Sequence, residues 1–395
     1  MLLRHREGVE LKKFGRLVVV AEVSVSGSPV LSRNRSFNEI ITEYCKYFDD
    51  VHLIAPGKKE LIRHPGWADN LYVSTIVSYE KNPIARLAYF TKIRKNQKKL
   101  KALIDKFSPN VIQLRIPSLF TMTAYRAARE LGVPVSTYVG GDWYTSFTNN
   151  YKFPGATLLA RMLERWQEPI LRGSIIVTAG PVLAKKYKAL GECYAYYSTT
   201  HRIVYENLSE KSANLIYVGR LEPLKRVEDA IFAVDIIRKT IPHVHLEIVG
   251  DGVERKKIEK LVLDLKLEKN ITLKGQIKKE EDLRGAYRSA AILLFPSISE
   301  GTPKVIAEAM AHGVVPVAVK EIGSIPFIIE DGVRGLLVSP KAPTELAEAV
   351  LTLLQNSDML ESMRKQGFDY ARQHTLCNEV ESLWAHVTNR IGISG

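Results

Sequence analysis

The chain has 395 residues, of which 46% are hydrophobic and 25% are charged. This length exceeds what one hydrophobic core usually organises, so we expect two domains of about 150 to 200 residues each. The composition excludes an intrinsically disordered chain. No apolar run approaches the roughly 20 residues of a membrane-spanning helix, and the first residues lack a hydrophobic signal segment, so we expect a cytoplasmic protein.

The net charge of +13 is carried by the first half of the chain. Residues 1–200 hold 30 Lys and Arg against 16 Asp and Glu, whereas residues 201–395 hold 26 against 27. This asymmetry indicates an anionic partner for the first half: nucleic acid, an anionic membrane surface or an acidic substrate. The basic region has few interleaved aromatic residues and matches no nucleic-acid-binding module, so we expect no nucleic-acid partner.

A basic amphipathic segment at residues 85–107 concentrates part of this charge. Its apolar residues recur at helical spacing, and it contains six clustered cations: Lys92, Arg94, Lys95, Lys98, Lys99 and Lys101. One interpretation is a helix that lies against anionic lipid. The alternative is an ordinary amphipathic helix that packs its apolar side on a sheet.

Strand-like and helix-like segments alternate along the whole chain. In the first half, short apolar runs occur at residues 17–23, 51–55, 71–79, 110–116, 133–139 and 174–179. The same rhythm restarts in the second half at residues 214–219, 244–250, 270–275, 290–297, 314–319 and 334–339. Alternation of this kind predicts an α/β fold of two doubly wound, Rossmann-like parallel-sheet domains.

The polar stretch at residues 198–212 separates the two runs of strands and predicts the domain boundary. We assign residues 1–205 to the first domain and residues 206–374 to the second. Two such domains face each other across a cleft, and the loops after the strands line it, because ligands of open α/β sheets bind outside the carboxyl ends of the strands.

The loop from Ser299 to Pro303 follows a buried-strand run and opens a helix. The free N–H groups and the positive dipole end of such a helix stabilise a phosphate. Glu300 in the loop and Glu308 in the helix are spaced to accept hydrogen bonds from two separated hydroxyl groups, such as those of a sugar and a ribose. The alternative is a dipole-favoured acidic residue followed by a solvated helix glutamate.

Two further motifs lie at the carboxyl ends of predicted strands in the second domain. In VGRLEPLKR, Arg220 follows the strand and Lys225 starts the next helix, so the two cations suit a diphosphate; the alternative is a pair of surface cations. In IVGDG, Gly250 permits close approach of the backbone to a ligand, although a tight strand-to-helix turn is the favoured interpretation.

Two motif absences restrict the chemistry. The chain has no Asp-x-Asp, so the paired carboxylates that commonly hold a divalent ion on a nucleotide-sugar diphosphate are missing, and the cations must compensate the charge. We therefore expect metal-independent chemistry and no cofactor. The chain also has no G-x-x-x-x-G-K-[ST], which argues against a P-loop nucleotidase.

The second half resembles the retaining GT-B glycosyltransferases of family 4, also called group 1 glycosyltransferases. The resemblance rests on VGRLEPLKR, IVGDG and FPSISEGTPKVIAEAMAHGVVPVAV, and it covers roughly residues 213–375. It implies that Arg220 and Lys225 hold the diphosphate of a nucleotide-sugar donor, that Glu300 binds the transferred sugar, and that Glu308 binds the ribose. Further donor contacts are expected at Gly219, Gly250, Gly301, Thr302, Lys304 and Val305.

The resemblance also implies a retaining reaction, in which the leaving diphosphate assists the incoming hydroxyl. It implies that residues 375–395 form a helix that crosses back to the first domain. That domain would bind a lipid-linked or polysaccharide acceptor at the inner face of the cytoplasmic membrane. The acceptor-side candidates are Gly27, Arg115, Asp142 and Trp143, although a loop-capping Asp, a core Trp and a surface Arg are the structural alternatives.

Two other functions remain open from the sequence. A nucleotide-sugar epimerase of similar fold needs His and acidic residues placed for proton abstraction, and no such group stands out. A catalytically idle sugar- or lipid-binding module is the second alternative. The joint presence of Arg220, Lys225, Glu300 and Glu308 argues against it.

Overall fold

A computed structural model of the chain describes residues 13–23, 25, 31–32, 34–57, 61–62, 64–76, 93–150, 153–206 and 214–393. The chain divides into two compact units. The first comprises Met1–Tyr196 together with Glu379–Gly395, and the second comprises Tyr197–Asn378. The sequence placed this division at residue 205 and the start of the returning segment at residue 375.

The first unit is built on an eight-stranded sheet in the order β3-β4-β2-β1-β5-β6-β7-β8, in which β3 is antiparallel to β4 and the other pairs are parallel. Its strands are β1 (Arg16–Val20), β2 (Asp50–Ala55), β3 (Leu61–Ile62), β4 (Leu71–Thr75), β5 (Val111–Ile116), β6 (Val135–Val139), β7 (Ile175–Ala179) and β8 (Cys193–Tyr196). Its helices include α1 (Arg35–Tyr47), α2 (Ile93–Phe107), α3 (Leu119–Leu131), α4 (Trp143–Asn150), α5 (Ala156–Arg172) and α6 (Pro181–Tyr187).

The second unit is built on a six-stranded parallel sheet in the order β11-β10-β9-β12-β13-β14. Its strands are β9 (Asn214–Val218), β10 (His245–Val249), β11 (Ile271–Gly275), β12 (Ile292–Phe295), β13 (Val315–Val319) and β14 (Leu336–Val338). Its helices are α7 (Val227–Ile237), α8 (Arg255–Asp264), α9 (Glu280–Ser289), α10 (Lys304–Ala311), α11 (Ile325–Ile329), α12 (Pro343–Gln355) and α13 (Ser357–Gln373), and a short 3-10 helix spans Pro223–Lys225.

Helices cover both faces of the second sheet. Successive strand residues point to opposite faces, and the neighbours Leu215 and Ile216 accordingly belong to two separate apolar clusters. A parallel strand that is buried on both sides reads as a continuous apolar run, which is why the strands stood out in the sequence. The predicted fold of two parallel-sheet α/β domains is confirmed.

The last helix, α14 (Leu376–Ile391), packs against the first unit. Its fully buried residues recur every three or four positions, so they share one face of the helix: Val380, Leu383, Trp384 and Val387. The Trp384 ring lies edge-on to Tyr44 at 5.1 Å and to Phe48 at 4.7 Å between centroids. These aromatic contacts fix the end of the chain to α1 and the loop after it.

The basic helix α2 packs on the sheet, which was the second of the two sequence interpretations. Leu100 and Ile104 are completely buried in the core of the first unit, and Lys101 pairs with Glu130 at 2.9 Å. The apolar side of α2 is therefore not available to lipid, because it already covers the sheet. Residues 85–92 lie outside the described residues. Within the part of the chain that the structure describes, no helix is long and apolar enough to cross a membrane.

The packing of α14 predicts a large loss of stability in Trp384→Ala. Removing a buried Trp costs about 3–5 kcal/mol, because the surrounding core collapses only partly. All four tryptophans of the chain lie in the first unit, so urea unfolding followed by Trp fluorescence reports on that unit alone. The exposed Glu381 on the same helix supplies the control, and Glu381→Ala is expected to change stability by less than about 0.5 kcal/mol. Equal stability of both variants would contradict the packing role.

Candidate functional site

The strand β9 leads directly into a cationic turn. Tyr217 is buried and donates a hydrogen bond from its hydroxyl to the Arg220 carbonyl at 3.1 Å. The Arg220 side chain is 71% exposed and pairs with Glu222 at 2.5 Å. The chain then forms the 3-10 helix that ends at Lys225, and α7 begins at Val227, so Lys225 precedes the helix that it was predicted to start.

The loop after β12 is held against this 3-10 helix. The Ile298 N–H donates to the Leu224 carbonyl at 3.0 Å, and the buried Ser297 hydroxyl donates to the same oxygen at 3.4 Å. These bonds bring Glu300 to Lys225, whose Nζ lies 2.5 Å from Glu300 Oε1. Both side chains are mostly buried, at 16% and 13% exposure. Two motifs 75 residues apart in sequence thus form one ion pair.

The opposite side of the same loop rests on the segment before α11. The Ser324 N–H donates to the Gly301 carbonyl at 2.8 Å, and the Ser324 hydroxyl lies 3.3 Å from the Thr302 hydroxyl. Gly323 has a positive φ of 50°, and a Cβ there would lie 2.3 Å from the Glu300 carbonyl oxygen. Only glycine allows this contact. No sequence motif indicates this support.

The glycines of the predicted site fall into two groups. A Cβ on Gly250 would lie 1.8 Å from the Gly219 carbonyl oxygen, and a Cβ on Gly219 would lie 2.7 Å from the Tyr217 hydroxyl. Gly250 is glycine because the ends of the neighbouring strands β9 and β10 meet there, which matches the tight-turn interpretation of IVGDG. At Gly219 the space for a side chain is taken by Tyr217 of the same strand. Gly301 differs, since a Cβ there meets no atom within 4 Å. Its missing side chain leaves open space beside the loop.

Glu308 lies in the second turn of α10 and is half-buried. Its Oε1 accepts a hydrogen bond from the Thr200 hydroxyl, and its Oε2 accepts a long one, 3.5 Å, from the Tyr287 hydroxyl. Burial raises the pKa of Tyr287 well above its usual value, and the Glu308 carboxylate adds to the effect. Tyr287 therefore stays protonated and donates. The solvated-glutamate alternative is wrong for Glu308, because two side chains hold its carboxylate.

Thr200 belongs to a segment that the sequence treated as a boundary. The neighbouring His201 is buried, and its ring nitrogens contact the Thr199 hydroxyl at 2.6 Å and the Ala371 carbonyl oxygen at 2.8 Å. Burial lowers the pKa of His201 to about 4, so the ring is neutral near pH 7. These contacts fix the segment to α13 and keep the Thr200 hydroxyl on Glu308. The sequence does not indicate this burial, because the segment consists mainly of polar residues.

The remaining predicted donor residues follow the same loop. Thr302 precedes α10, and Lys304 and Val305 form its first turn, where all three are partly exposed. By helix geometry, Glu308 lies one turn, about 6 Å along the axis, beyond Lys304. The structure thus gathers the Lys225–Glu300 pair, the loop and α10 in one unit.

The candidates in the first unit have structural partners of their own. Asp142 caps α4 by accepting from the Thr145 N–H at 2.7 Å, and it also pairs with Lys186 at 3.3 Å. The loop-capping alternative is the observed one. Trp143 donates its backbone N–H to Glu164 at 2.9 Å, and its ring is partly exposed.

Arg115 is stacked among aromatic rings. Its guanidinium lies 4.2 Å from the centroid of Tyr138 and 5.3 Å from that of Phe37. Its side chain is partly buried, so the surface-cation alternative does not describe it. Gly27, the fourth acceptor-side candidate, lies outside the described residues.

The second-unit site combines groups that handle anions and hydroxyls. Lys225 and Arg220 supply positive charge, and Glu300 and Glu308 supply hydrogen-bond acceptors at two separate points. Burial raises the pKa of Tyr217, and the nearby Glu300 carboxylate raises it further. The positive charge of Arg220 acts in the opposite direction and lowers this pKa. Among the described residues, no group of three His, Cys, Asp or Glu is placed to hold a metal ion.

One region of the chain matches a known family. Residues 202–370 match the family model of glycosyl transferases group 1. This stretch lies within the second unit. It contains Arg220, Lys225, Glu300 and Glu308, and it ends within α13.

Two curated relatives each match about half of this chain. The chain is 24% identical over 207 residues to a poly(glycerol-phosphate) alpha-glucosyltransferase of Bacillus subtilis, covering 51% of this chain and 30% of the relative. It is 29% identical over 176 residues to a D-inositol 3-phosphate glycosyltransferase of Corynebacterium kroppenstedtii, covering 43% and 39%. The chain thus spans less than half the length of these relatives.

Solved structures share the fold over nearly the whole chain. Sucrose-phosphate synthase of Thermosynechococcus elongatus superimposes with a TM-score of 0.71 at 18% identity, covering 96% of this chain and 100% of that one. HepE of Anabaena, in complex with UDP, gives a TM-score of 0.68 at 15% identity, covering 95% and 100%. At these low sequence identities, the similarity shows a shared fold alone.

The buried ion pair predicts strong coupling between Lys225 and Glu300. Lys225→Met and Glu300→Gln are each expected to destabilise the second unit by about 1–3 kcal/mol, because each leaves a polar partner buried without its counterpart. The double variant is expected to lose less stability than the two single variants lose together, and the coupling energy is expected to be about 1–3 kcal/mol. Urea unfolding followed by circular dichroism measures all four proteins.

The more exposed pair of Lys274 and Glu247, 3.4 Å apart in the same unit, supplies the control. Its double-mutant cycle is expected to give weaker coupling, because water screens the charges. If the Lys225 and Glu300 effects add within about 0.5 kcal/mol, the two residues do not act as a unit.

Proposed function

We propose that the protein is a retaining, metal-independent glycosyltransferase of family 4, which moves a sugar from a nucleotide-sugar donor to a membrane-associated, lipid-linked or polysaccharide acceptor. The observation that carries this proposal is the ion pair of Lys225 and Glu300 beside the open loop at Gly301, within the stretch that matches the group 1 glycosyl transferases. The second unit would bind the donor, and the first would bind the acceptor.

On the donor side, Lys225 and Arg220 would hold the diphosphate, and the first turn of α10 would add N–H groups to it. Glu300 would accept hydrogen bonds from the sugar hydroxyls. Glu308 would accept from the ribose hydroxyls, with Thr200 and Tyr287 fixing its carboxylate in place. HepE, a structural neighbour, is described in complex with UDP, which supports a nucleotide donor.

The reaction breaks the bond between the anomeric carbon and the diphosphate oxygen. The acceptor oxygen then bonds to the same face of the anomeric carbon, and its proton passes to the departing diphosphate. Negative charge grows on the leaving group, and the fixed cations stabilise it most in the transition state. The protein then needs no nucleophile of its own.

On the acceptor side, the charge of the first half of the chain supports an anionic acceptor. Thirty Lys and Arg stand against 16 Asp and Glu in residues 1–200. The names of both relatives contain a phosphate-bearing compound, poly(glycerol-phosphate) and inositol 3-phosphate. Arg115, held over Tyr138, is the residue that we assign to the acceptor.

A transfer assay tests the proposal. Purified protein is incubated with nucleotide sugars and either poly(glycerol phosphate) or inositol 3-phosphate in the presence of EDTA, and the linkage of the product is read by NMR. A product with the donor's anomeric configuration is expected. A product of inverted anomeric configuration would contradict the retaining mechanism. Transfer that requires added metal would contradict the metal independence. Donor binding without transfer to any acceptor would favour the idle-module alternative.

Two variants separate the proposed roles of the site residues. Lys225→Ala is expected to lower kcat about 100-fold or more, because it removes charge stabilisation that is needed in the transition state. Glu308→Ala is expected mainly to raise the KM for the donor, because a ribose contact is the same in the ground state and the transition state.

Lys239→Ala and Glu348→Ala remove the same side chains from exposed positions of the same unit and serve as matched controls. They are expected to leave kcat and KM unchanged. Wild-type kinetics in both Lys225→Ala and Glu308→Ala would remove the site assignment.

A further inference from the structure

Helix α5 carries an unusual outward face. Its inner side is buried in the first unit through Ala156, Ala160, Gln167, Ile170 and Leu171. The residues on the opposite side include Leu158, which is 65% exposed, and Met162, which is 60% exposed. Residues four positions apart share one face of a helix, so these two side chains stand together in solvent.

Neighbouring apolar side chains extend this exposed area. We define the α5 patch as Phe153, Leu158, Leu159 and Met162, of which Phe153 is 47% and Leu159 is 39% exposed. Single exposed apolar residues are normal on a soluble protein, whereas a cluster of exposed apolar residues is typical of an interaction site, and these four lie within ten residues of the chain. Tyr144, on the adjoining helix α4, is also 39% exposed.

The charges around the α5 patch are positive. Arg161, Arg165 and Arg172 are exposed and lie on the same outward face as Leu158. Helix α5 also carries two carboxylates, those of Glu164 and the partly exposed Glu168.

The Glu164 carboxylate is directed into the protein. Glu164 accepts from the Trp143 N–H at 2.9 Å and from the Tyr187 hydroxyl at 2.5 Å, and it pairs with Lys186 at 2.8 Å. The outward face of α5 therefore presents three arginines beside apolar side chains, against one partly exposed carboxylate, that of Glu168.

We propose that the α5 patch docks the protein on the surface of an anionic lipid bilayer. Leu158, Met162 and Phe153 would enter the boundary between headgroups and acyl chains, and the arginines would contact anionic headgroups. The inference deepens the proposed function, since it names the surface by which the protein reaches a lipid-linked acceptor. It moves this role from α2, whose apolar side covers the sheet, to α5.

Vesicle sedimentation tests the docking with the full chain and without any sugar donor or acceptor. The probes are vesicles of phosphatidylcholine with phosphatidylglycerol and vesicles of phosphatidylcholine alone. The wild type is expected to bind the anionic vesicles, and binding is expected to weaken as salt rises. Leu158→Ser/Met162→Ser is expected to lower the partition about tenfold or more. Arg161→Gln/Arg165→Gln is expected to lower it about tenfold at low salt and to flatten the salt dependence.

Two matched controls locate the surface. Lys98→Gln/Lys99→Gln removes two exposed charges from α2, and Val253→Ser removes an apolar side chain that is 83% exposed in the second unit. Both are expected to bind vesicles as the wild type does.

The inference is overturned if the α2 variant loses binding while the α5 variants keep it, or if the wild type binds neither vesicle. It is also overturned if Leu158→Ser/Met162→Ser instead converts a dimer to a monomer in sedimentation velocity. Because no transfer is measured, failure of docking is separate from failure of the proposed reaction.

Discussion

The ion pair between Lys225 and Glu300 is the interaction on which the arrangement of the proposed donor site depends. It joins two strand ends of one sheet, and both side chains are mostly removed from water. A buried pair of this kind adds little net stability, because desolvation offsets much of the attraction. Its main effect is on the position of the loop before α10. Because Lys225 is paired with Glu300, this loop is held in one position, and the space beside Gly301 stays open.

Backbone contacts support the same loop from both sides. The Leu224 carbonyl receives the N–H of Ile298, and the Gly301 carbonyl receives that of Ser324. These bonds place the charged pair without using its side-chain hydrogen-bonding capacity. Glu308 is held separately by Thr200 and Tyr287, so the two carboxylates of the site are positioned by independent networks. Such division suits a ligand that is long and has polar groups at both ends.

The sequence predicted the fold because parallel strands buried on both faces are continuous apolar runs. It missed β8, a four-residue strand of Cys, Tyr, Ala and Tyr that lacks the β-branched residues of the predicted strands, and β3, which has two residues. At the proposed donor site, Lys225 and Glu300 were predicted because charged residues at strand ends stand out. Thr200, Tyr287 and Ser324 were missed because a hydroxyl acquires its role only through tertiary contacts. The two interpretations of α2 could be separated only by the burial of Leu100 and Ile104.

The proposed function requires the second unit to bind a nucleotide sugar without metal. Isothermal titration calorimetry of the wild-type protein with UDP-, GDP-, ADP- and CMP-sugars in EDTA measures this binding. We expect saturable binding with one nucleobase preferred. Absence of binding by every donor in EDTA, followed by binding once a divalent metal is added, would contradict the proposed role of Lys225 and Arg220 as the counter-charge of the diphosphate.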